Sequence, residues 1–244
     1  GIETIPDFFG FKKAEYLRKE RGPATLITSH NVLAHIDDLS DIIKGVEHWL
    51  DDDGLFVMEV GYFVDVYQKV WFDTIYHEHL DYHTLAPLLK FLARHDLEVI
   101  EVERIEPQGG SIRVISQKMG GPYSTDASVD NLLELEHSLK MDRPETFRAY
   151  NRRVNEVRDD LGKLLMHLKQ QGHSIAGYGA PTKATTMLMH FGLSQEMLDF
   201  TLEDNPLKHG CFLPGAMIPI LPADELYVRK PDYVVILAWN FARS

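Results

Sequence analysis

The six residues Leu55-Phe-Val-Met-Glu-Val60 constrain the fold most tightly, because only one of them is polar. A run that is apolar on both faces and too short for a buried helix reads as a strand of a parallel sheet covered on both sides. Its neighbours fit such layering. Thr25-Leu-Ile-Thr-Ser-His30 reads as a second strand, preceded by a polar helix tail from Glu15 to Arg21. Asp37 and Asp38 are good starters for a helix over Leu39–Leu50, where Ile42, Ile43, Val46, Trp49 and Leu50 recur at helical spacing. Asp53-Gly54 predicts a turn, and Thr84 is expected to cap a helix reaching Arg94. Leu97–Glu103 and Ser111–Gln117 predict two strands joined across Gln108-Gly109-Gly110.

The texture changes at Gly120-Gly121-Pro122. From Ser128 to Gln171 the chain is charged and helical, with one break at Asp142-Arg143-Pro144, and reads as a helical connector. A second α/β unit follows from about Gly172: strand Ser174-Ile-Ala176, loop Gly177-Tyr-Gly-Ala-Pro-Thr-Lys183, a helix to Phe191, then strands Phe200–Glu203 and Tyr233–Ala238. The expected fold class is α/β throughout, divided at 1–120, 121–171 and 172–244.

A net charge of -12 argues against a nucleic-acid partner, since binding phosphates along a strand needs a basic stripe. Arg148, Arg152 and Arg153 come nearest to one, but Glu145, Glu156, Asp159 and Asp160 flank them. No run approaches the roughly 18 apolar residues of a membrane span, and no signal peptide is visible. With Cys211 the single cysteine, no internal disulfide is possible, so a cytoplasmic location is expected.

Chemistry concentrates in Trp71-Phe-Asp-Thr-Ile-Tyr-His-Glu-His-Leu-Asp-Tyr-His83, which holds three histidines, two tyrosines and three carboxylates. No apolar period organises the run, so core packing does not explain it. Histidine titrates near neutral pH, a neighbouring carboxylate raises its basicity, and a tyrosine can donate to a developing oxyanion. Tyr76, Glu78 and His79 thus form a proton-abstraction set. Two other readings stand beside it: a metal site on His77, His79 and His83 with Glu78, and a polar loop of solvated histidines. His35 follows the strand ending at His30, where open α/β sheets place their sites, although a lone histidine there also serves structure. Gly177-x-Gly179 with Lys183, between a strand and a helix, predicts phosphate binding against the alternative of a tight turn. Asp204 follows the next strand, where a ribose-binding acid lies in dinucleotide folds.

Tyr76-His-Glu-His79, Gly109-Gly110-Ser111-x-Arg113, Gly177-Tyr-Gly-Ala-x-x-Lys183 and Asp204-x-x-x-Lys208-x-Gly210-x-x-x-Pro214-Gly215 occur in this order in deoxysugar C-methyltransferases, and the chain resembles that family over nearly its whole length. The resemblance implies a partial class I methyltransferase (Rossmann-like) domain, the helical connector, and a second Rossmann-like domain for a nucleotide. It implies S-adenosylmethionine as methyl donor and a nucleotide-linked keto sugar as substrate. His79 would remove the proton beside the ketone, with Tyr76, Glu78 and His35 orienting it or stabilising the enolate. Arg113 and Lys183 resemble diphosphate contacts; Gly177, Gly179, Asp204 and Lys208 belong to the same substrate set. Asp7 and Phe8 would lie near the adenine and Asn31 near the methionine end. The family's four-cysteine zinc domain and glycine-rich cofactor loop find no match here, so zinc is not expected and the cofactor site is expected to be incomplete, as in a truncated relative. A nicotinamide-dependent sugar-nucleotide oxidoreductase or epimerase, and a non-catalytic nucleotide-sugar binder, are the competing functions.

Overall fold

The computed structural model describes residues 1–239, with the side chain of Gln108 excepted. It divides into two compact units, one of residues 1–68 and 77–146, the other of residues 69–76 and 147 onward.

The first unit carries helices α1 (Phe11–Arg21), α2 (Leu39–Trp49), α4 (Leu85–Ala93) and α5 (Ala127–Ser138), and α3 (Phe63–Lys69) up to the boundary. Its strands are β1 (Ala24–His30), β2 (Leu50–Gly61), β3 (Leu97–Ile105) and β4 (Ser111–Lys118), in the order β1-β2-β4-β3. The apolar run lies in β2, between two neighbours as expected, but only β1 pairs with it in parallel; β4 runs antiparallel to β2 and to β3. Phe56, Met58 and Val60 from β2 join Ile43 and Val46 of α2 and Leu85, Leu88 and Leu92 of α4 in one buried core. Val129, Leu132 and Met141 join the same core, so the front of the expected connector belongs to this unit instead of bridging two.

Two local expectations are corrected. Asp53-Gly54 does not end an element: β2 runs through it, and the pairing slips from Ala24↔Leu50 to Leu26↔Leu55. The turn-forming residues are absorbed as an irregularity within the strand pair, the use a ladder makes of surplus residues. Thr84 precedes α4, yet its hydroxyl caps nothing. The carboxylate of Glu136, only 4% exposed, does that work: it accepts from the backbone N–H of Leu85 and Ala86 and from the Tyr62 hydroxyl. This contact satisfies donors that an α-helix leaves orphaned at its start.

The second unit takes most of α6 (Pro144–Gln170) and continues with β5 (Ile175–Tyr178), α7 (Ala184–Phe191), β6 (Phe200–Glu203), β7 (Ile220–Pro222), α8 (Glu225–Arg229) and β8 (Tyr233–Ile236). All pairings are parallel, in the order β7-β6-β5-β8. The chain steps from β5 to β6 to β7 in one direction and returns to place β8 on the far side of β5. That reversal makes a topological switch point between β5 and β8, the place where open α/β sheets bind ligands. No described helix is long and apolar enough to cross a membrane.

Candidate functional site

In the first unit, the segment after β1 meets the histidine run. Asn31 turns the chain at φ 52 and its N–H donates to the Glu59 carbonyl at 2.8 Å. Leu33–His35 then forms a short 3-10 turn. Leu80 N–H donates to the Ala34 carbonyl at 2.7 Å, and the His35 and His79 rings lie 4.9 Å apart, nearly edge to face. His35 Nδ1 is 2.7 Å from the Glu78 carbonyl oxygen, which only accepts, so Nδ1 carries hydrogen. The Tyr82 hydroxyl donates to the His79 carbonyl at 3.2 Å. His35, Glu78 and His79 are therefore brought together. Glu78 orients His35 through its carbonyl, while its half-exposed carboxylate lies 4.0 Å from His77 Nε2. Tyr76 falls in the second unit. Among the described residues, no group of three or more His, Cys, Asp or Glu side chains is placed to hold a metal ion.

Glu59, at the carboxyl end of β2, was missed in the sequence because it sits inside an apolar run. Its side chain is nearly buried and gathers Asn31 Nδ2 (3.1 Å), Arg113 (3.4 Å) and His30 Nδ1 (3.5 Å). Arg113 also donates to Glu103 at 2.8 Å. Its guanidinium is thus held between two carboxylates of the first unit, Glu59 and Glu103. Gly110 next to it is required by packing: at φ 152, a Cβ would come within 2.5 Å of the Asp65 carboxyl carbon. Near the start of the chain, Asp7 pairs with Lys13 and Phe8 is 96% exposed. The Lys13 ammonium holds the Asp7 carboxyl below the ordinary carboxylate range.

His83 ends the run. It is buried, its carbonyl accepts from Phe63 N–H, and its Nε2 has no hydrogen-bond partner. Burial, helped by the charge of His79 and opposed by Asp81, holds its pKa below the ordinary 6.5. Below pH 6.5 the unfolded chain takes up a proton that folded His83 resists, so stability is lost as pH falls from 6.5 through the folded value. The urea midpoint should therefore decline more steeply below pH 6.5 in the parent than in His83→Phe; equal slopes would show that His83 does not titrate in this way.

In the second unit, the carboxyl ends of β5, β6 and β8 border a cavity of about 590 Å³. Tyr178, Gly179, Ala180, Pro181, Asp204 and Lys208 line it together with Leu226, Val234, Ile236 and Ala238. The Tyr178 hydroxyl donates to Asp204 at 3.2 Å, and burial followed by that carboxylate pushes the Tyr178 pKa up. Lys208 Nζ donates to the Ala180 carbonyl at 2.9 Å, and Ala180 N–H donates to Glu203 at 2.7 Å. Glu203, also missed in the sequence, thus already holds one N–H of the glycine loop. Gly177 lies within β5, and Gly179 has φ 88 with room for no Cβ beside Ala238.

Lys183 does not turn to this cavity. Its Nζ lies 3.9 Å from Asp73 Oδ2 and 3.8 Å from the centroid of the Trp239 ring. Trp239 Nε1 donates to the same Asp73 oxygen at 2.7 Å. Burial raises the Asp73 pKa and lowers that of Lys183, so each charge resists its surroundings and their separation offsets only part of that cost. Lys183 thus faces a carboxylate of its own unit and is absent from the lining of the cavity.

Comparison with known proteins places the chain in a family. Residues 106–244 match the C-methyltransferase C-terminal domain. The C-methyltransferase NovU of Streptomyces niveus is 35% identical over 242 residues, which are 99% of this chain and 58% of NovU. The chain therefore spans little more than half the length of that relative. Among solved structures, magnesium protoporphyrin IX methyltransferase from Synechocystis PCC 6803 overlaps 39% of this chain and 45% of its own, at 13% identity and a TM-score of 0.32. The complex between the Haloferax volcanii Trm112 methyltransferase activator and a methyltransferase overlaps 40% of this chain and 55% of the matched one, at 14% identity and a TM-score of 0.34. With more than half of its length matched to one family, the chain belongs to the C-methyltransferases, whose C-terminal domain it carries in residues 106–244.

Proposed function

We propose that the whole protein transfers a methyl group to the carbon beside the ketone of a nucleotide-linked keto sugar. The observation that carries this is the junction of His35, Glu78 and His79 at the carboxyl end of β1, with the two rings 4.9 Å apart. Making carbon nucleophilic requires a base for its proton and a donor for the resulting enolate oxygen. His79 is the base. His35 is the donor: already giving Nδ1–H to the Glu78 carbonyl, it presents Nε2–H to the enolate when doubly protonated. S-adenosylmethionine supplies the methyl group when bound. The fully exposed ring of Phe8 suits a purine face, and Asn31 offers polar atoms at the strand end; Asp7 is the third cofactor contact of this chain. The exposed edge of β1, where Leu26 is 57% exposed, fits the addition of further strands carrying the remainder of that site.

The nucleotide occupies the cavity at the switch point of the second unit. Gly177 and Gly179 let the loop approach it, and Asp204 with Tyr178 faces the ribose. Lys208 lies at its phosphate side. Incubation of the whole protein in heavy water with the keto sugar and S-adenosylhomocysteine tests the base. Deuterium should enter at the carbon beside the ketone, and His79→Gln should abolish this. Unchanged exchange in His79→Gln would remove His79 from that role.

A further inference from the structure

Ala180 follows Gly179 in the loop that borders the cavity of the second unit, and charged side chains already take both of its backbone groups. Its N–H donates to Glu203 Oε2 at 2.7 Å, and its carbonyl accepts from Lys208 Nζ at 2.9 Å. The two side chains also face each other at 3.5 Å. The second oxygen of Glu203 accepts from Asn205 N–H at 3.0 Å, so one carboxylate ties the loop after β5 to the loop after β6. The main chain of Glu203 is fastened as well: its carbonyl oxygen lies 2.8 Å from His209 Nε2, which therefore carries hydrogen. Only 13% of the Glu203 side chain is exposed. Burial opposes its charge, but the N–H groups of Asn205 and Ala180 and the Lys208 ammonium outweigh it and hold the carboxyl below the ordinary carboxylate range. Gly179 N–H still reaches the Leu202 carbonyl at 2.7 Å, as a strand residue would; one residue on, charged side chains take over from the sheet. Hydrogen bonds with a charged partner are about twice as strong as neutral ones, and here two of them fix a single alanine. Gly179, Ala180 and Pro181 all line the cavity, so the peptide held in this way is part of its wall.

We propose that Glu203, with Lys208 as its partner, is a positioning residue for the nucleotide. It holds the Gly179–Pro181 wall in the shape that receives the ligand before the ligand arrives, so binding does not have to order the loop. Its action on the ligand passes through Ala180, because both carboxylate oxygens are already occupied by N–H groups of the protein. With its N–H given to that carboxylate, Ala180 offers no donor to phosphate, and the loop serves as a fixed wall at this residue. The proposal rests on the reading of this cavity as the nucleotide site.

The test uses the whole protein. Adenosine, guanosine, cytidine, uridine and thymidine diphosphates are titrated into it by calorimetry, and the tightest binder is carried forward. Glu203→Ala should weaken that binding about ten- to a hundredfold, the loss expected when hydrogen bonds to a charged group disappear. KM for the sugar nucleotide should rise in step, while kcat at saturation stays within about threefold of the parent. Glu203→Gln keeps an oxygen for the Ala180 N–H but loses the charge facing Lys208, and should weaken binding about three- to tenfold. A lower urea midpoint for Glu203→Ala with unchanged Kd and KM would make its role one of stability alone and overturns the proposal. If Glu203→Ala does not fold, Glu203→Gln decides: weaker binding supports the positioning role, and unchanged binding refutes it. Ile236→Trp, which fills the cavity from an exposed position on β8, tests the site itself. If it leaves binding unchanged, or if no diphosphate binds the parent, the nucleotide reading fails and the proposal with it. If Ile236→Trp weakens binding and Glu203→Ala does not, the proposal alone fails.

Discussion

Glu136→Ala is expected to destabilise the first unit by about 3–5 kcal/mol, because a buried donor left without an acceptor costs about 1–3 kcal/mol and two buried donors and a partly buried one are left at once. They are the Tyr62 hydroxyl and the N–H groups of Leu85 and Ala86. Their positions explain the size of the effect. Leu85 begins α4, whose Leu85, Leu88 and Leu92 fill the core, and Tyr62 is fully buried beside it. Losing the carboxylate unties α5 from the start of α4 and leaves the helix end without the negative group its dipole favours. Glu136→Gln keeps one acceptor oxygen and should cost about half as much. Urea denaturation of the three proteins, followed by circular dichroism, measures the series. A cost below about 1 kcal/mol for the alanine variant would mean that water replaces the carboxylate at no penalty.

His79→Gln carries the largest expected effect on turnover. A positioned general base contributes about 10²–10⁴ in rate, equivalent to about 3–5 kcal/mol of barrier. Glutamine keeps the approximate size and polarity of the side chain but cannot take the proton. The loss should therefore fall on kcat, with KM for both substrates nearly unchanged, since no part of the nucleotide cavity is touched. His35→Gln should reduce kcat less, because the base itself is retained. Steady-state rates of the parent and both variants decide the order. Equal loss in KM and none in kcat would place His79 in binding instead.

The sequence made short-range order legible and long-range partners opaque. Asp38 does accept from Asp41 N–H at the start of α2, and the apolar period of that helix does face the core, because both depend on neighbouring residues. An apolar run such as Leu55–Val60 shows that a strand is buried, but not whether its neighbours run with it or against it; β1 and β4 do one each. β7 and α8, three and five residues long, carry too few positions for any period to appear. At the site, His35 and the histidine run were visible from residue type. Glu59 was hidden by its apolar surroundings, and the partners of Arg113 and Lys183 by distance along the chain. Cations beside glycine turns suggest anions, and in this structure Arg113 and Lys183 face carboxylates of the protein itself.

The position of the transferred methyl group tests the central claim most directly. The whole protein is incubated with S-adenosylmethionine labelled with ¹³C in its methyl group and with a nucleotide-linked keto sugar labelled with ¹³C in the ring, and the product is read by nuclear magnetic resonance. A one-bond carbon–carbon coupling between the new methyl and the carbon beside the ketone, absent with His79→Gln, is the result this account predicts. A methyl carbon coupled to the ring only through oxygen, or the same carbon-linked product from His79→Gln at the parent's rate, would contradict it.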